Sequence, residues 1–564
     1  MTHTHSTRRA AAVALAAALT VARTSAQQPT LTLPPTIPTS AQTDSRPVVA
    51  LTLDDAVKFA LDRNLTIAVQ RLNPLSFDPA IESLYATYRP TITSVAGAQS
   101  NVNPPTTSIV GVPPGANGVT QGTTNVSAGV SQNVQWGGGQ FSASLNSVRS
   151  TSTSTTVLYN PTYSPAFTAQ YTQPLLRGRT IDPNRQQLIV TRLARDVSDI
   201  QLRSTIVNTL SNVREAYWNF VYAVQAVEIA QQQANLAGQL VKDNETRLSV
   251  GVMAELDVVT AQAQEAQALQ TLVQARGTRD TAELALKQLI VSGTQDPNWN
   301  ARLDPTDRPD FEPVDVDVDG AIHNALQQRT DMLQARKNVE ANQVTYRFLE
   351  NQLLPQADVT ARYGLAGLGG TEFNRAGSAI NSPILSTIPG GIGNALGSLA
   401  DASYPNWSVQ LNFSVPVGRN VATASMAAAK IQMTQATAQV RQIELQVATD
   451  VTNAAIAIRN GAQAAQAAEA SQELAQKSYE AEQEKFKVGL STNYNVILAL
   501  NTLSAAKNTY LQAVLGYRNA LVEFDRLGQT TLTSLNITML SGAAWANGAA
   551  ATGNLTGSPV GSAR

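Results

Sequence analysis

The stretch RLSVGVMAELDVV, residues 247–259, decides the fold, because it returns in altered form as KFKVGLSTNYNVI at residues 485–497. Each copy interrupts a helix-like pattern once, with Gly251 or Gly489, and 489 − 251 = 238 residues separate the two glycines. Glycine readily adopts the left-handed conformation that ends a helix, so we expect each long helix to turn back there. The chain is therefore predicted to contain one structural unit twice.

The duplication extends well beyond the two glycines. VREA at residues 213–216 aligns on VTNA at residues 451–454 with the same offset of 238. Upstream, LDDAVKFALDRN at residues 53–64 aligns on VDGAIHNALQQR at residues 318–329 with an offset of 265. The change in offset places the length differences in loops. Each half is thus predicted to run from a short helix through proline-bounded strands into two long helices.

The domain boundaries follow from this repeat and from the character of the two ends. Residues 1–26 contain the adjacent arginines Arg8 and Arg9, followed by the apolar run AAAVALAAALTVA and small residues, a pattern typical of a secretory signal peptide. We interpret residues 27–50 as a flexible linker and residues 531–564 as a flexible C-terminal tail. Between them lie the first repeat, 51–312, and the second repeat, 313–530, each ending in a long helical hairpin.

The composition argues against several classes of function. The 564 residues carry a net charge of −1 with 14% charged residues, so we expect no nucleic-acid partner. The chain has no cysteine, and no convergent acid, base, nucleophile or metal cluster is visible. We therefore expect no enzyme, and no catalytic, cofactor-binding or metal-binding residues. After the predicted signal peptide no apolar run reaches about 18 residues, so any membrane crossing is predicted to use a closed β-barrel.

Alternating side chains predict strands with one apolar and one polar face. In SVQLNFSVPV, residues 408–417, apolar residues alternate with polar ones, and the pattern recurs at 125–148, 167–173, 357–363 and, more weakly, 92–98. Strands of about ten residues suit a tilted bilayer crossing, although an antiparallel sandwich half-exposed to water has the same period. Because so few strands cannot close a pore alone, several chains are predicted to share one barrel.

The first half contains a longer strand region than the second. The interval from Pro90 to Pro174 is 174 − 90 = 84 residues, against 416 − 355 = 61 between Pro355 and Pro416. The surplus coincides with a turn, WGGG at residues 136–139, between two well-alternating strands. We predict an added hairpin here, in the first half of the chain.

Two very long helices are predicted to follow the strands. Residues 182–248 contain one proline, at their start, and one glycine, so at ~1.5 Å per residue the helix is about 100 Å long. Its apolar stripe has the spacing of a coiled-coil seam: Ile206, Leu210, Val213, Tyr217, Phe220, Val224 and Val227. The second half places smaller residues there: Ala448, Val451, Ala455, Ile458, Ala462 and Ala465. A hollow tube of helices is predicted, with a long hairpin or a dimeric coiled coil as the alternative.

The ordered motifs resemble those of the TolC family of outer membrane efflux proteins. The resemblance covers about residues 51–530 and rests on LTLDDAVKFALDRNLTI, on QPLL before a helix, and on both tip sequences. It implies an α+β membrane protein with two structural repeats per chain. Three copies would form a β-barrel in outer membrane lipid, to which each gives four strands, twelve in all, continued by a long periplasmic α-helical barrel. The added hairpin in the first half leaves open whether the barrel of this chain has twelve strands or eighteen. The family serves as the exit duct of tripartite efflux or type I secretion systems in Gram-negative-type bacteria.

The resemblance also implies partners and site residues. A periplasmic adaptor protein would contact the two tips, and an inner membrane transporter of RND, ABC or MFS type would supply the energy. The residues that match the adaptor-contacting tips are Val250, Gly251, Val252, Val488, Gly489 and Leu490.

The periplasmic entrance departs from the best-known members of the family. Two aspartates form an acidic constriction in those members, whereas the matching positions here are Asn495 and Leu498, and only Asp257 in the first copy is acidic. Because fewer negative charges line the entrance, we expect it to be less cation-selective and less easily blocked by multivalent cations.

Two other classes of function remain open at this stage. A structural coiled-coil stalk or adhesin anchored in the outer membrane would use the helices as a spacer, but predicts strands gathered at one terminus. A secreted enzyme with a helical insertion lacks the site chemistry. The transported substrate cannot be read from the sequence.

Overall fold

The computed structural model describes residues 46–106, 110–308, 311–377, 382–415, 417–418 and 420–537. The chain divides into two units, Met1–Arg46 and Pro47–Arg564, and almost all described residues belong to the second. The predicted signal peptide, residues 27–45 of the predicted linker, residues 538–564 of the predicted tail, and Pro416 lie outside the described residues.

Helices make up most of the described chain. Their bounds are α1 Leu53–Arg63, α2 Leu65–Ala86, α3 Pro183–Ser249, α4 Glu255–Ile290, α5 Pro297–Asn300, α6 Val318–Gln328, α7 Thr330–Gln352, α8 Ile392–Ala400, α9 Val421–Lys487, α10 Asn493–Leu527 and α11 Thr531–Ser534. The helices α3 and α9 both have 67 residues and begin 421 − 183 = 238 residues apart. At ~1.5 Å per residue each is about 100 Å long, as the sequence predicts. Among the helices of the described residues, none combines the length and apolar character needed to cross a membrane.

Side-chain caps fix the starts of the two long helices. The side chain of Asp182 accepts a hydrogen bond from the Arg185 amide at 2.8 Å, and Pro183 occupies the first turn. The side chain of Asn420 accepts from the Thr423 amide at 2.9 Å. These caps satisfy amides that have no partner within the helix, so both helices begin immediately after the strand region.

The predicted apolar stripes are confirmed as the buried faces of the long helices. In α3, Leu210, Val213 and Tyr217 are fully buried, and in α9 Val451 and Ile458 are buried. The helices α3 and α4 pack as one hairpin, and α9 and α10 as another. Small residues along α9 let its neighbours approach closely, as at half-buried Gly461, where an added Cβ would lie 3.3 Å from the Tyr517 Cα.

Buried polar groups join the α3–α4 hairpin to the segments around it. The Tyr217 hydroxyl donates a hydrogen bond to the Asp307 carboxylate at 2.7 Å. The pKa of Tyr217 is raised, mainly because the hydroxyl is buried and secondly because of this hydrogen bond. The Glu283 carboxylate in α4 accepts a hydrogen bond from the Leu303 amide of the segment 302–305 at 3.1 Å and lies 2.7 Å from the Lys287 ammonium, with both charged side chains under 5% exposed. Burial acts to raise the pKa of Asp296, but hydrogen bonds from the Asn298 and Ser292 amides, with nearby Arg63, hold it below its ordinary value.

The strands form one large antiparallel sheet and one small parallel pair. Their bounds are β1 Val48–Leu51, β2 Thr91–Asn103, β3 Val119–Asn133, β4 Gln140–Ser152, β5 Tyr159–Pro174, β6 Arg302–Pro305, β7 Gln356–Ala366, β8 Gly369–Arg375, β9 Ile384–Ile388 and β10 Tyr404–Ser414. The large sheet has the order β10-β7-β5-β4-β3-β2, and β8 pairs with β5 beside β7 and with β9. All strands predicted from alternation are confirmed, including the added hairpin, which is β3 and β4.

Three segments differ from the sequence interpretation. Val48–Leu51, which overlaps the predicted linker, is a strand paired with β6. Thr531 and Leu532, at the start of the predicted tail, are buried in α11, so the ordered chain continues beyond residue 530. The helices α2 and α7 follow the two short helices directly, although the sequence reading included no second helix there. In each case long-range packing, which no local pattern encodes, orders the segment.

Candidate functional site

The first helical tip is a tight reversal at Gly251. The residue has a φ of +74°, which a side chain disfavours, and an added Cβ would meet open space. The Val252 amide donates to the Arg247 carbonyl at 3.0 Å, and the Gly251 amide donates to the Leu248 carbonyl at 2.9 Å. This pattern closes the end of α3 and turns the chain into α4 within a few residues.

The second tip has the same construction. Gly489 has a φ of +79°, the Leu490 amide donates to the Lys485 carbonyl at 2.8 Å, and the Gly489 amide donates to the Phe486 carbonyl at 3.2 Å. Both tips therefore present their flanking residues in the same geometry.

Both tips expose large apolar side chains at matching positions. Leu490 is 80% exposed, and Val252, which lies 238 residues earlier, is 71% exposed. Val250 and Val488 form a second such pair. Beyond them Leu256 and Tyr494 are exposed at equivalent places in the first turns of α4 and α10. Exposed apolar groups clustered at a helical end are typical of a contact surface for another protein.

A buried amide pair joins the two hairpins just behind their tips. Asn244 is fully buried in α3, and its Nδ2 donates to Asn493 Oδ1 at 2.9 Å. The Nδ2 of Asn493, itself 3% exposed, donates to the Asp257 carbonyl at 3.0 Å. One side chain at the start of α10 thus contacts both helices of the first hairpin.

A second contact between the hairpins lies beside this pair. The Arg247 guanidinium sits 4.3 Å from the centre of the Phe486 ring and donates to the Phe486 carbonyl at 3.3 Å. The Ser491 hydroxyl donates a hydrogen bond to the Glu482 carboxylate within the second tip. This hydrogen bond is the main cause of the lowered pKa of Glu482, and the hydrogen bond from Lys485 is the second. The tip region is therefore held by short-range polar contacts as well as by packing.

The structure places the predicted entrance residues at the starts of the two returning helices. Asp257 lies half-buried in the first turn of α4, and Asn495 lies exposed in the first turn of α10. Leu498 follows one turn further and is exposed. The Asn493 contact with the Asp257 carbonyl brings these turns together. The Asn495 side chain donates to Ser491 at 3.4 Å, within its own hairpin.

The sequence reading missed Asn244, Arg247 and Asn493. A signal for Asn244 was present, because Ala230, Ala234, Ala237, Val241 and Asn244 step by 4-3-4-3. A polar residue on a buried helical stripe needs a partner. Which distant residue supplies that partner could not be read from the spacing.

The large sheet separates apolar from polar side chains across its whole width. One row of paired residues across the strands is Ile92, Val130, Ala143, Ala169, Tyr363 and Trp407. The adjacent row is Thr91, Ser131, Ser142, Gln170, Arg362 and Ser408. Because successive side chains point to opposite faces, the first row lies on one face of the sheet and the second on the other.

Comparison with known proteins identifies the family. A sequence profile described as outer membrane efflux protein matches residues 138–291 and 321–527, together more than half of the chain. The chain belongs to this family. The family assigns it to the outer membrane, from which it extends into the periplasm. Its tips and its two-faced sheet are therefore parts of an outer membrane efflux protein.

The chain is similar to a curated relative in sequence and to two solved structures in fold. Outer membrane protein TolC of Escherichia coli (strain K12) is 25% identical over 244 residues, which cover 40% of this chain and 47% of the relative. The match thus spans about half the length of that relative. The Campylobacter jejuni CmeC outer membrane channel superposes with a TM-score of 0.58 at 14% identity, covering 86% of this chain and 90% of the other. The outer membrane protein VceC of Vibrio cholerae gives 0.58 at 13%, covering 84% and 96%. These two likenesses show the fold.

Proposed function

We propose that the chain forms the exit duct of a tripartite efflux or type I secretion system, which passively conducts substrates from a periplasm-spanning pump to the exterior. The observation that carries this proposal is the two-faced sheet with open edges. Its apolar face suits outer membrane lipid, and its polar face suits a water-filled lumen. Such a duct lowers the free-energy barrier that a polar solute meets in the membrane, and it needs no catalytic group to do so. We therefore propose a transport function without enzymatic activity.

The edges of the sheet support assembly into a homotrimer. Within the described chain, β2 and β10 each pair with one strand only, and they run in opposite directions because every pairing between them is antiparallel. The β10 edge of one copy can therefore continue into the β2 edge of the next with the same antiparallel pattern. Closing the ring removes unpaired backbone groups from the lipid. The two helical hairpins, one per proposed repeat, are of nearly equal length and would continue the ring as a periplasmic α-helical barrel.

The tips support a periplasmic adaptor protein as the partner. The exposed side chains of Val250, Val252, Val488 and Leu490 offer it an apolar surface at each hairpin end. The energy for transport would come from an inner membrane transporter of RND, ABC or MFS type. Neither nucleic acid nor a cofactor has a role in this proposal.

The tip contact can be tested by one substitution and its conservative control. Leu490→Asp places a charge on the exposed tip and is expected to reduce efflux strongly in cells that contain the cognate adaptor and transporter but lack the native duct. Leu490→Met keeps the surface apolar and is expected to retain efflux. Surface abundance of the oligomer should be equal for both. Undiminished efflux by the Asp variant, or no efflux by the wild-type protein, would count against the proposal.

The entrance chemistry can be tested by adding the missing charges. We propose that the wild-type channel is only weakly blocked by a trivalent cation, because Asn495 and Leu498 are uncharged. The double variant Asn495→Asp, Leu498→Asp is expected to gain strong block, whereas Asn495→Ser is expected to behave as wild type. Strong block of the wild-type channel would contradict this proposal.

A further inference from the structure

The hairpin β3–β4 occupies the middle of the sheet rather than its edge or surface. It lies between β2 and β5, and both of its outer pairings are long and unbroken. The strands β2 and β3 pair over Thr91–Asn103, and β4 pairs with β5 over Gln140–Ser150. Without the hairpin, β2 and β5 would have no contact with each other in this sheet. A peripheral decoration would leave these two strands paired directly.

The hairpin continues the apolar face through the middle of its two strands. Its apolar residues on this face are Val126, Ala128, Val130, Phe141, Ala143 and Leu145, and the polar residues Thr124, Gln132, Ser147 and Arg149 flank them toward the strand ends. Leu145 pairs with Phe167 of β5, which in turn pairs with Leu365 of β7. The opposite side of the hairpin carries serine, asparagine, threonine and glycine along most of its length. The division between apolar and polar sides is therefore the same as in β7 and β10.

The turn of the hairpin is held at the end of the sheet where the helices begin. The Gln173 Nε2 donates to the Gly137 carbonyl at 2.8 Å. The Asn133 side chain donates to the Thr87 carbonyl, at the end of α2, at 3.0 Å. Gly138 has a φ of +69°, and an added Cβ would lie 2.5 Å from the Gly178 carbonyl oxygen. These contacts anchor the turn to the junctions on both sides of it.

We infer that β3 and β4 are lipid-facing wall strands, so that each copy contributes the six strands of the path from β2 to β10 within its described residues. This inference rests on the proposed trimeric duct. Three copies then give 3 × 6 = 18 strands, against the twelve implied by the family resemblance. The acyl chains of outer membrane lipid are the partner of the hairpin's apolar side. Adding two strands per copy also preserves the opposite directions of the edge strands, which ring closure requires.

The added strands widen the outer end of the duct. The diameter of a barrel grows roughly linearly with strand number, so eighteen strands give a barrel about 1.5 times as wide as twelve and about twofold larger in cross-section. The polar wall of this wider lumen suits the passage of bulkier hydrated solutes than a twelve-stranded wall of the same tilt allows.

The cysteine-free chain allows a direct test with single labelled cysteines. The test pair is Leu145→Cys and Ser144→Cys in β4, and the reference pair is Leu411→Cys and Gln410→Cys in β10. Each full-length oligomer is labelled with an environment-sensitive fluorophore and reconstituted in vesicles, with either nitroxide-bearing lipid or aqueous iodide as quencher. We expect the labels at 145 and 411 to be quenched several-fold more by the lipid nitroxide, and those at 144 and 410 more by iodide.

The reference pair separates the two possible failures. If position 411 contacts lipid while position 145 contacts water, the hairpin lies outside the wall and the inference is wrong, although the proposed duct stands. If neither position contacts lipid, the proposed function fails as well. Electron microscopy of the wild-type oligomer provides a second, independent test, because the barrel strands can be counted directly. Eighteen strands support the inference, and twelve overturn it.

Discussion

Replacing Asn493 by alanine is expected to loosen the contact between the two helical hairpins near their tips. The substitution removes the 2.9 Å hydrogen bond from Asn244 and the 3.0 Å hydrogen bond to the Asp257 carbonyl. Both bonds cross from one hairpin to the other, and Asn244 and Asn493 are almost completely shielded from water. No water compensates for such a loss unless the hairpins move apart.

The expected magnitude follows from these two bonds. A buried hydrogen bond contributes about 0.5–1.5 kcal/mol net, and a buried group left without its partner costs about 1–3 kcal/mol. The contact between the tips should therefore weaken by roughly 3 kcal/mol, which raises the population of locally opened tips about 100-fold. The buried cluster around Tyr217 lies in another part of α3, so its stability should not change.

Backbone amide hydrogen exchange in the purified oligomer measures this opening. We expect exchange in segments 244–257 and 486–500 to be about 100-fold faster in the Asn493→Ala variant, with no change around residue 217. Asn495→Ala is the matched control, because that side chain is exposed and contacts only its own hairpin at 3.4 Å. Its effect should stay below about 0.5 kcal/mol.

A double-mutant cycle sharpens the test. If the bond between the two asparagines carries the effect, Asn244→Ala and Asn493→Ala together should cost clearly less than the sum of the single substitutions. Unchanged tip exchange in Asn493→Ala, or equal effects of Asn493→Ala and Asn495→Ala, would refute the reasoning.

Three further predictions concern the stability and assembly of the purified protein. Lys287→Met removes the ion-pair partner of buried Glu283, which should cost about 3–5 kcal/mol in denaturant unfolding, whereas Lys477→Met at an exposed ion pair should leave the free energy of unfolding almost unchanged. Asp296→Asn should destabilise the fold at pH 7, because the lowered pKa of Asp296 means that its ionised form stabilises the folded state above the unfolded pKa of about 4. The difference from wild type should shrink as unfolding is measured at pH values below about 4. Gly138→Ala meets a backbone oxygen and a disfavoured φ, so it should cost more than about 1 kcal/mol and lower the yield of assembled oligomer on native gels.

The strands and tips could be predicted because their signals are local. Alternation in β10 is visible residue by residue, since every second side chain faces the same side. The turn at Gly251 follows from a glycine that interrupts a helical pattern, and its positive φ bears this out. The surplus length of the first strand region likewise indicated the hairpin β3–β4.

The pairing of distant segments could not be predicted, because partners are selected by three-dimensional packing. Nothing in VVAL at Val48–Leu51 identifies Arg302–Pro305 as its neighbour, so the segment reads as a linker. Asn244 similarly finds Asn493, which lies 249 residues later in the chain. The pairing of β5 with β7 joins the two halves into one sheet. This pairing likewise depends on packing between segments that are distant in the sequence.

Planar lipid bilayer recordings of the purified oligomer test most directly whether several copies enclose a water-filled path across a membrane. We expect a detergent-extracted trimer that inserts with discrete, stable conductance steps, and larger steps for Asn493→Ala, whose tips part more readily. A water-soluble monomer that produces no conductance in either form would contradict the account.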